Sequence, residues 1–178
     1  MIPLNNIFLA FGGPTLLEAV NLSLDGGERA CLIGRNGVGK SSLLGVIAGQ
    51  IQADAGERVI APVVSIGWLR QEVPDDISGR LFEVVAAGLG DLAALVGEYH
   101  RLSLALHQQP SDQLYHQLAR VQHELEAREG WQAGQRVETV LSRLGLPPEE
   151  RFETLSGGGK RRVLLARALV ADPGILLL

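Results

Sequence analysis

Aromatic residues are scarce, 4% of a 178-residue chain, so its core has to be assembled from Leu, Val, Ile and Ala. Cysteine is scarcer still. Cys31 stands alone, which excludes a disulfide within the chain and fits a reducing compartment. Its setting, Ala30-Cys31-Leu32-Ile33, is apolar, and the expectation is a buried strand thiol, because free cysteine behaves as a small hydrophobe. No run reaches the roughly 20 apolar residues of a membrane-spanning helix. The first ten residues lack the charged start and long apolar stretch of a secretory signal. Both absences make the expected location cytoplasmic. Nor is there an excess of positive charge: 16 Lys and Arg stand against 20 Asp and Glu, a net charge of −4. A general nucleic-acid-binding surface is thereby disfavoured, and only a local basic patch stays open. The remainder is 46% apolar and 20% charged, without internal repeat or low-complexity tract, as in an ordinary soluble domain with one sizeable core.

The hydrophobic pattern falls into two regimes. Residues 16–24 read as a strand and Asp25-Gly26-Gly27 as a tight turn. Residues 28–33 read as a second strand, apolar over its last four positions, as expected of one buried on both faces. A glycine-rich loop covers 34–39. Residues 40–48 then form a helix, with Leu43, Leu44 and Ile47 at helical spacing and Gly49 as its stop. A β-rich stretch follows, punctuated by Gly56, with short strands at Val59-Ile60 and 63–69 around Pro62 and a loop over 73–76. Over residues 81–146 the period becomes helical. Leu114, Leu118, Val121 and Leu125 make one stripe, with Ser111 or Asp112 as cap, and Val137, Val140, Leu141 and Leu144 make another. Pro147-Pro148 closes this block. Residues 156–170 form one more helix, stopped by Asp172-Pro173, and 175–178 read as a central parallel strand.

Gly34-Arg35-Asn36-Gly37-Val38-Gly39-Lys40-Ser41 fits G-x-x-x-x-G-K-[ST] at every fixed position, with an apolar run before it and an amphipathic helix after it. A polyphosphate is held by inward-pointing backbone N–H groups, and Gly34, Gly37 and Gly39 let the loop curl closely around it. The helix N-terminus adds partial positive charge. Lys40 is placed to neutralise the β- and γ-phosphates, and the Ser41 hydroxyl to ligate Mg²⁺. Asn36 within the loop and Ser42 beyond it complete the expected contacts to the nucleoside triphosphate. The motif alone does not choose among kinases, GTPases and ATPases.

A second motif chooses. Leu155-Ser156-Gly157-Gly158 opens the helix that runs Lys160-Arg161-Arg162-Val163-Leu164-Leu165-Ala166-Arg167, 122 residues after Gly34. Ser156 can cap that helix while Gly157 and Gly158 leave backbone N–H groups open towards an anion. The pair of motifs resembles the phosphate loop and signature of ABC-type ATPases, and the resemblance covers essentially the whole chain. It departs from the family at Gly159, where glutamine is usual.

The resemblance implies an α/β fold: a phosphate-loop ABC ATPase core with an antiparallel β subdomain and an inserted helical subdomain. It makes 1–178 one ABC domain, divided into a core and β subdomain over 1–78, a helical subdomain over 79–155, and the signature helix with a following strand over 156–178. Gln71, ending Ile66-Gly67-Trp68-Leu69-Arg70-Gln71, stands where the family has its Q-loop glutamine, a Mg²⁺ and water contact, so Gln71 and Lys40 are the expected catalytic residues. Phe11, 23 residues before Gly34, stands where an aromatic stacks on adenine. ABC sites are composite, so Ser156, Gly157 and Gly158 are expected to serve ATP held by a second ABC domain. The phosphate-loop residues, the approach to Gln71 and the long helical stretch look closest to the ABC-F group and its Uup-like members. That likeness implies action on ribosomes or their assembly, or on DNA. The alternative is the ATP-binding subunit of a membrane transporter.

The family continues its last strand into Asp-Glu. The chain is therefore expected to be incomplete at its C-terminus, and inactive as an ATPase by itself. His100, His107, His116 and His123 invite a metal reading, but no cysteine or carboxylate cluster completes a tetrahedral set, and solvated helix histidines are expected. Arg120, Glu124, Glu126, Arg128 and Glu129 alternate in sign, as on an exposed, charge-laced helix rather than an RNA-binding stripe.

Overall fold

Two eight-residue strands, β1 (Ile2–Leu9) and β2 (Leu17–Leu24), pair antiparallel, with Leu4 opposite Leu22 and Leu9 opposite Leu17. The computed structural model containing them describes residues 2–60, 64–69, 72–74, 76–128 and 130–178. The chain divides into two units, 1–66 with Leu177, and 67–176 with Leu178. The division falls upstream of the 78/79 boundary expected from sequence.

In the first unit β1 also pairs antiparallel with β3 (Ala55–Arg58), giving the strand order β2-β1-β3. Leu4, Ile7 and Leu9 of β1 are all buried, although Leu4 and Ile7 would face opposite sides of a regular strand. The pairing register shifts between them. Asn6 takes the extra residue of the bulge at φ 49°, a conformation asparagine tolerates better than most residues. Its N–H donates to Asn21 Oδ1 at 2.9 Å, and Asn21 Nδ2 donates to the Ala19 carbonyl at 2.9 Å. In the same unit α1 (Lys40–Ile47) contributes buried Leu43, Val46 and Ile47. Arg58 Nε donates to the Ile47 carbonyl at 2.9 Å, a cation at the negative end of that helix.

Three expectations change here. Residues 28–33 form no strand, and Cys31 is exposed. An apolar run specifies burial but not a partner strand, and no described strand pairs with this one. β3 lies at 55–58 with Gly56 inside it, where Val59-Ile60 was expected. Finally, the 63–69 strand is shorter, β4 (Ile66–Trp68), and Val63 lies outside the described residues.

The second unit is helical: α2 (Leu81–Ala86), a 3₁₀ turn (Ala87–Leu92), α3 (Ala93–Gln108), α4 (Asp112–Ala127), α5 (Trp131–Arg143) and α6 (Gly157–Leu169). Both expected stripes face its core: Val121, Leu125, Val137 and Leu141 are buried, and Leu114, Leu118, Val140 and Leu144 pack against them. Ser111 is the α4 cap, its Oγ accepting the Leu114 N–H at 3.3 Å. The chain entering and leaving α2–α5 is tied together by backbone bonds. Leu81 N–H donates to the Glu150 carbonyl, Phe82 N–H to that of Pro148, and Phe152 N–H to that of Gly79, at 2.9, 3.0 and 2.9 Å. Beside these ties Glu153 accepts from Gly79 N–H and Arg151 Nη2, both at 3.1 Å. Its own backbone N–H chiefly, then Arg151 and Gly79, hold its carboxyl below the usual range. The ionised form therefore favours folding, an advantage lost as pH falls through the lowered pKa.

Gly88, in the 3₁₀ turn, abuts the C-terminal end of α6. A Cβ there would lie 2.1 Å from the Arg167 carbonyl oxygen and 2.7 Å from Val170 Cγ1. β5 (Ile175–Leu177) pairs with β4 in a two-stranded sheet. With one neighbour among the described strands it is not the central strand expected. His100 also departs from expectation. It is not solvated like exposed His107, His116 and His123: its ring stacks on Phe82 at 3.6 Å, and Nε2 lies 2.9 Å from Glu149 Oε1. Glu149 Oε2 in turn meets Arg80 Nη1 at 2.6 Å.

Candidate nucleotide-binding site

The phosphate loop runs from Gly34 into the first turn of α1. Gly39 is the N-cap at φ 96°, left-handed, and a Cβ there would lie 3.1 Å from both Leu16 Cγ and Leu17 Cδ2. The left-handed conformation favours glycine here, and the two leucine side chains leave little room for a Cβ. No side chain caps α1, so the N–H groups of its first turn face outward at the positive end of the helix. Lys40 Nζ lies within the loop, donating to the carbonyls of Gly34 at 2.7 Å and Arg35 at 2.8 Å. Ser41 is exposed beside it and Ser42 half-buried. Gly37, at φ 82°, and Asn36 form the outer turn of the loop.

Phe11 lies in the same unit, just past β1, and is 67% exposed. It is not a core residue. Gln71 lies outside the described residues.

In the second unit Ser156 caps α6, its Oγ accepting the Gly159 N–H at 3.2 Å. Gly157 and Gly158 are exposed, with no heavy atom within 4 Å of where a Cβ would stand. The helix therefore opens on free backbone donors with one serine hydroxyl beside them. α6 has no acidic residue in its first turn, and Lys160, Arg161 and Arg162 add positive charge near it. Lys160 Nζ sits 5.5 Å from the centre of the Phe152 ring. Each of the two helix starts thus carries a glycine at or just after its cap and no acidic residue in its first turn.

Among the described residues no group of three or more His, Cys, Asp or Glu could hold a metal ion. None of the described helices is long and apolar enough to cross a membrane. Arg128 Nη2 meets Glu124 Oε1 at 2.8 Å on α4, as expected of a charge-laced face, and Glu129 lies outside the described residues. One neighbour of the site was not foreseen from sequence. Asp54, just before β3, accepts the Ala10 N–H through Oδ2 at 2.7 Å.

A unit with a β-sheet and a phosphate loop, and a helical unit whose helix α6 opens on Ser-Gly-Gly, are the parts of an ABC-type ATP-binding domain. Residues 17–178 match the family model described as ABC transporter, and the chain belongs to that family. It is 42% identical over all 178 residues to the ATP-binding protein Uup of Haemophilus influenzae, of which it covers 28%. It is 31% identical over 170 residues, 95% of its length, to the energy-dependent translational throttle protein EttA of Mycobacterium tuberculosis, covering 30% of that protein. The chain thus spans under a third of these ABC-F relatives. The solved ATP-binding subunit of an ABC transporter shares the fold, with a TM-score of 0.65 at 17% identity over 98% of this chain and 64% of that one.

Proposed function

We propose that this chain binds Mg-ATP and, joined to a second ABC domain, hydrolyses it in an ABC-F protein that works on ribosomes or their assembly. The disposition of Lys40 carries the first part. Its ammonium stands inside a loop of backbone dipoles, next to an uncapped helix start, where a triphosphate meets both N–H donors and a cation. Gly34, Asn36, Gly37, Gly39, Lys40, Ser41 and Ser42 hold the phosphates in this reading. Mg²⁺, bound by Ser41 and Gln71, would neutralise charge on the terminal phosphates. Ser156, Gly157 and Gly158 present their donors to ATP held by the second domain, and that domain's signature completes the site at Lys40. The helical subdomain in this reading is 79–155, which the backbone ties between 79–82 and 148–152 support.

Phe11 supplies the adenine contact. Phe11→Ala lowers ATP affinity by about 1–3 kcal/mol, the size of base–aromatic stacking in nucleic-acid sites, and leaves inorganic triphosphate binding unchanged. Parallel calorimetric titrations with the two ligands check this; equal losses would mean that the substitution damages the fold.

The ribosomal part rests on likeness to relatives, one of them named a translational throttle protein. Co-sedimentation of the whole protein with ribosomes tests it, and ATP-dependent pelleting is expected. Recovery only with membranes would favour a transporter subunit, and retention only on DNA would favour a DNA-directed role.

A further inference from the structure

We infer that Asp54 is a positioning residue for the adenine contact, a reading that rests on the role proposed for Phe11. The two residues are far apart in sequence, but the sheet brings Asp54 to the base of the turn that carries Phe11. Phe8 and Ala55 are register partners at the end of the β1–β3 ladder. One residue beyond, the Asp54 N–H donates to the Phe8 carbonyl at 2.9 Å. Its carboxylate Oδ2 then accepts the Ala10 N–H at 2.7 Å. On the other side the Leu16 N–H donates to the Leu9 carbonyl at 2.8 Å. Residues 8–10 are thus fixed from both flanks, and the chain is released into an exposed turn at Phe11, with Gly12 at φ 73°.

The Phe11 ring is exposed and makes no ring contact among the described residues. Its direction is therefore set through its backbone, and the last backbone group held before it is the Ala10 N–H. A carboxylate near a triphosphate has no value as a charge; like charges repel. Its value is as a short, strong acceptor that keeps the strand end in one place. A misdirected ring loses stacking while the phosphate loop, built on other residues, keeps its grip.

Equilibrium titrations of the full chain with ATP and with inorganic triphosphate test this. Asp54→Ala lowers ATP affinity by about threefold to tenfold, as expected for one lost hydrogen bond, and leaves triphosphate affinity unchanged. Asp54→Asn, which retains an acceptor oxygen, restores most of the loss. Equal losses for both ligands, or an Asn variant as weak as the Ala variant, would overturn the inference. Unchanged ATP binding in Asp54→Ala, beside a base-selective loss in Phe11→Ala, would overturn it while leaving the adenine contact intact. Absence of a base-selective loss in Phe11→Ala itself would remove both.

Discussion

Lys40→Ala lowers the affinity for ATP by well over tenfold, about 1.4 kcal/mol or more. Two effects add. The terminal phosphates lose the one ammonium that the loop encloses, and the carbonyls of Gly34 and Arg35, 2.7 and 2.8 Å from that ammonium, lose the donor that holds them together. Arg35 offers no substitute, because it stands in the exposed outer part of the loop. Unlike the loss at Phe11, this one appears equally with inorganic triphosphate. Calorimetry with both ligands checks it, and an affinity that does not move would reduce the loop to a coincidental turn.

Gly88→Ala destabilises the helical unit by about 2–4 kcal/mol, through overpacking. The added methyl would stand 2.1 Å from the Arg167 carbonyl oxygen, a backbone atom that no rotamer change can move. Either the 3₁₀ turn or the last turn of α6 has to shift. Gly97 provides the opposite case. It lies within α3 with no heavy atom within 4 Å of a Cβ position, so Gly97→Ala gains about 0.5–1 kcal/mol from helix propensity. Thermal unfolding separates the two: a fall of roughly 5–15 °C for the first and a small rise for the second. A Gly88→Ala protein as stable as the parent would mean that the turn and helix do not touch as described.

The helical half was legible because its signals are local and redundant. Four apolar residues spaced along α4, a serine at its start and two prolines beyond α5 each say the same thing. The signature helix was legible for a like reason, Ser156 being both motif and cap. The β half was not. β1 went unread because the bulge at Asn6 breaks the alternation by which a strand is recognised, and the residue that repairs it, Asn21, is fifteen positions away. Residues 28–33 misled in the opposite sense, since apolar character reports a wish for burial and not the presence of neighbours. Asp54 carried no signal at all. Its importance comes from the β1–β3 ladder, a contact that local sequence does not encode. His100 was misjudged because Phe82 and Glu149, on other elements, decide its surroundings.

The three backbone bonds between 79–82 and 148–152 have a topological consequence. They make the intervening chain a closed excursion that departs from and returns to one spot, as a hairpin loop does on a larger scale. Changes in length at its far tip, between Gln108 and Asp112 where α3 hands over to α4, need not be transmitted to that spot. The tip is therefore the natural place for insertion, deletion or exchange between paralogues, with the two ends acting as a fixed socket into which excursions of different length can be fitted.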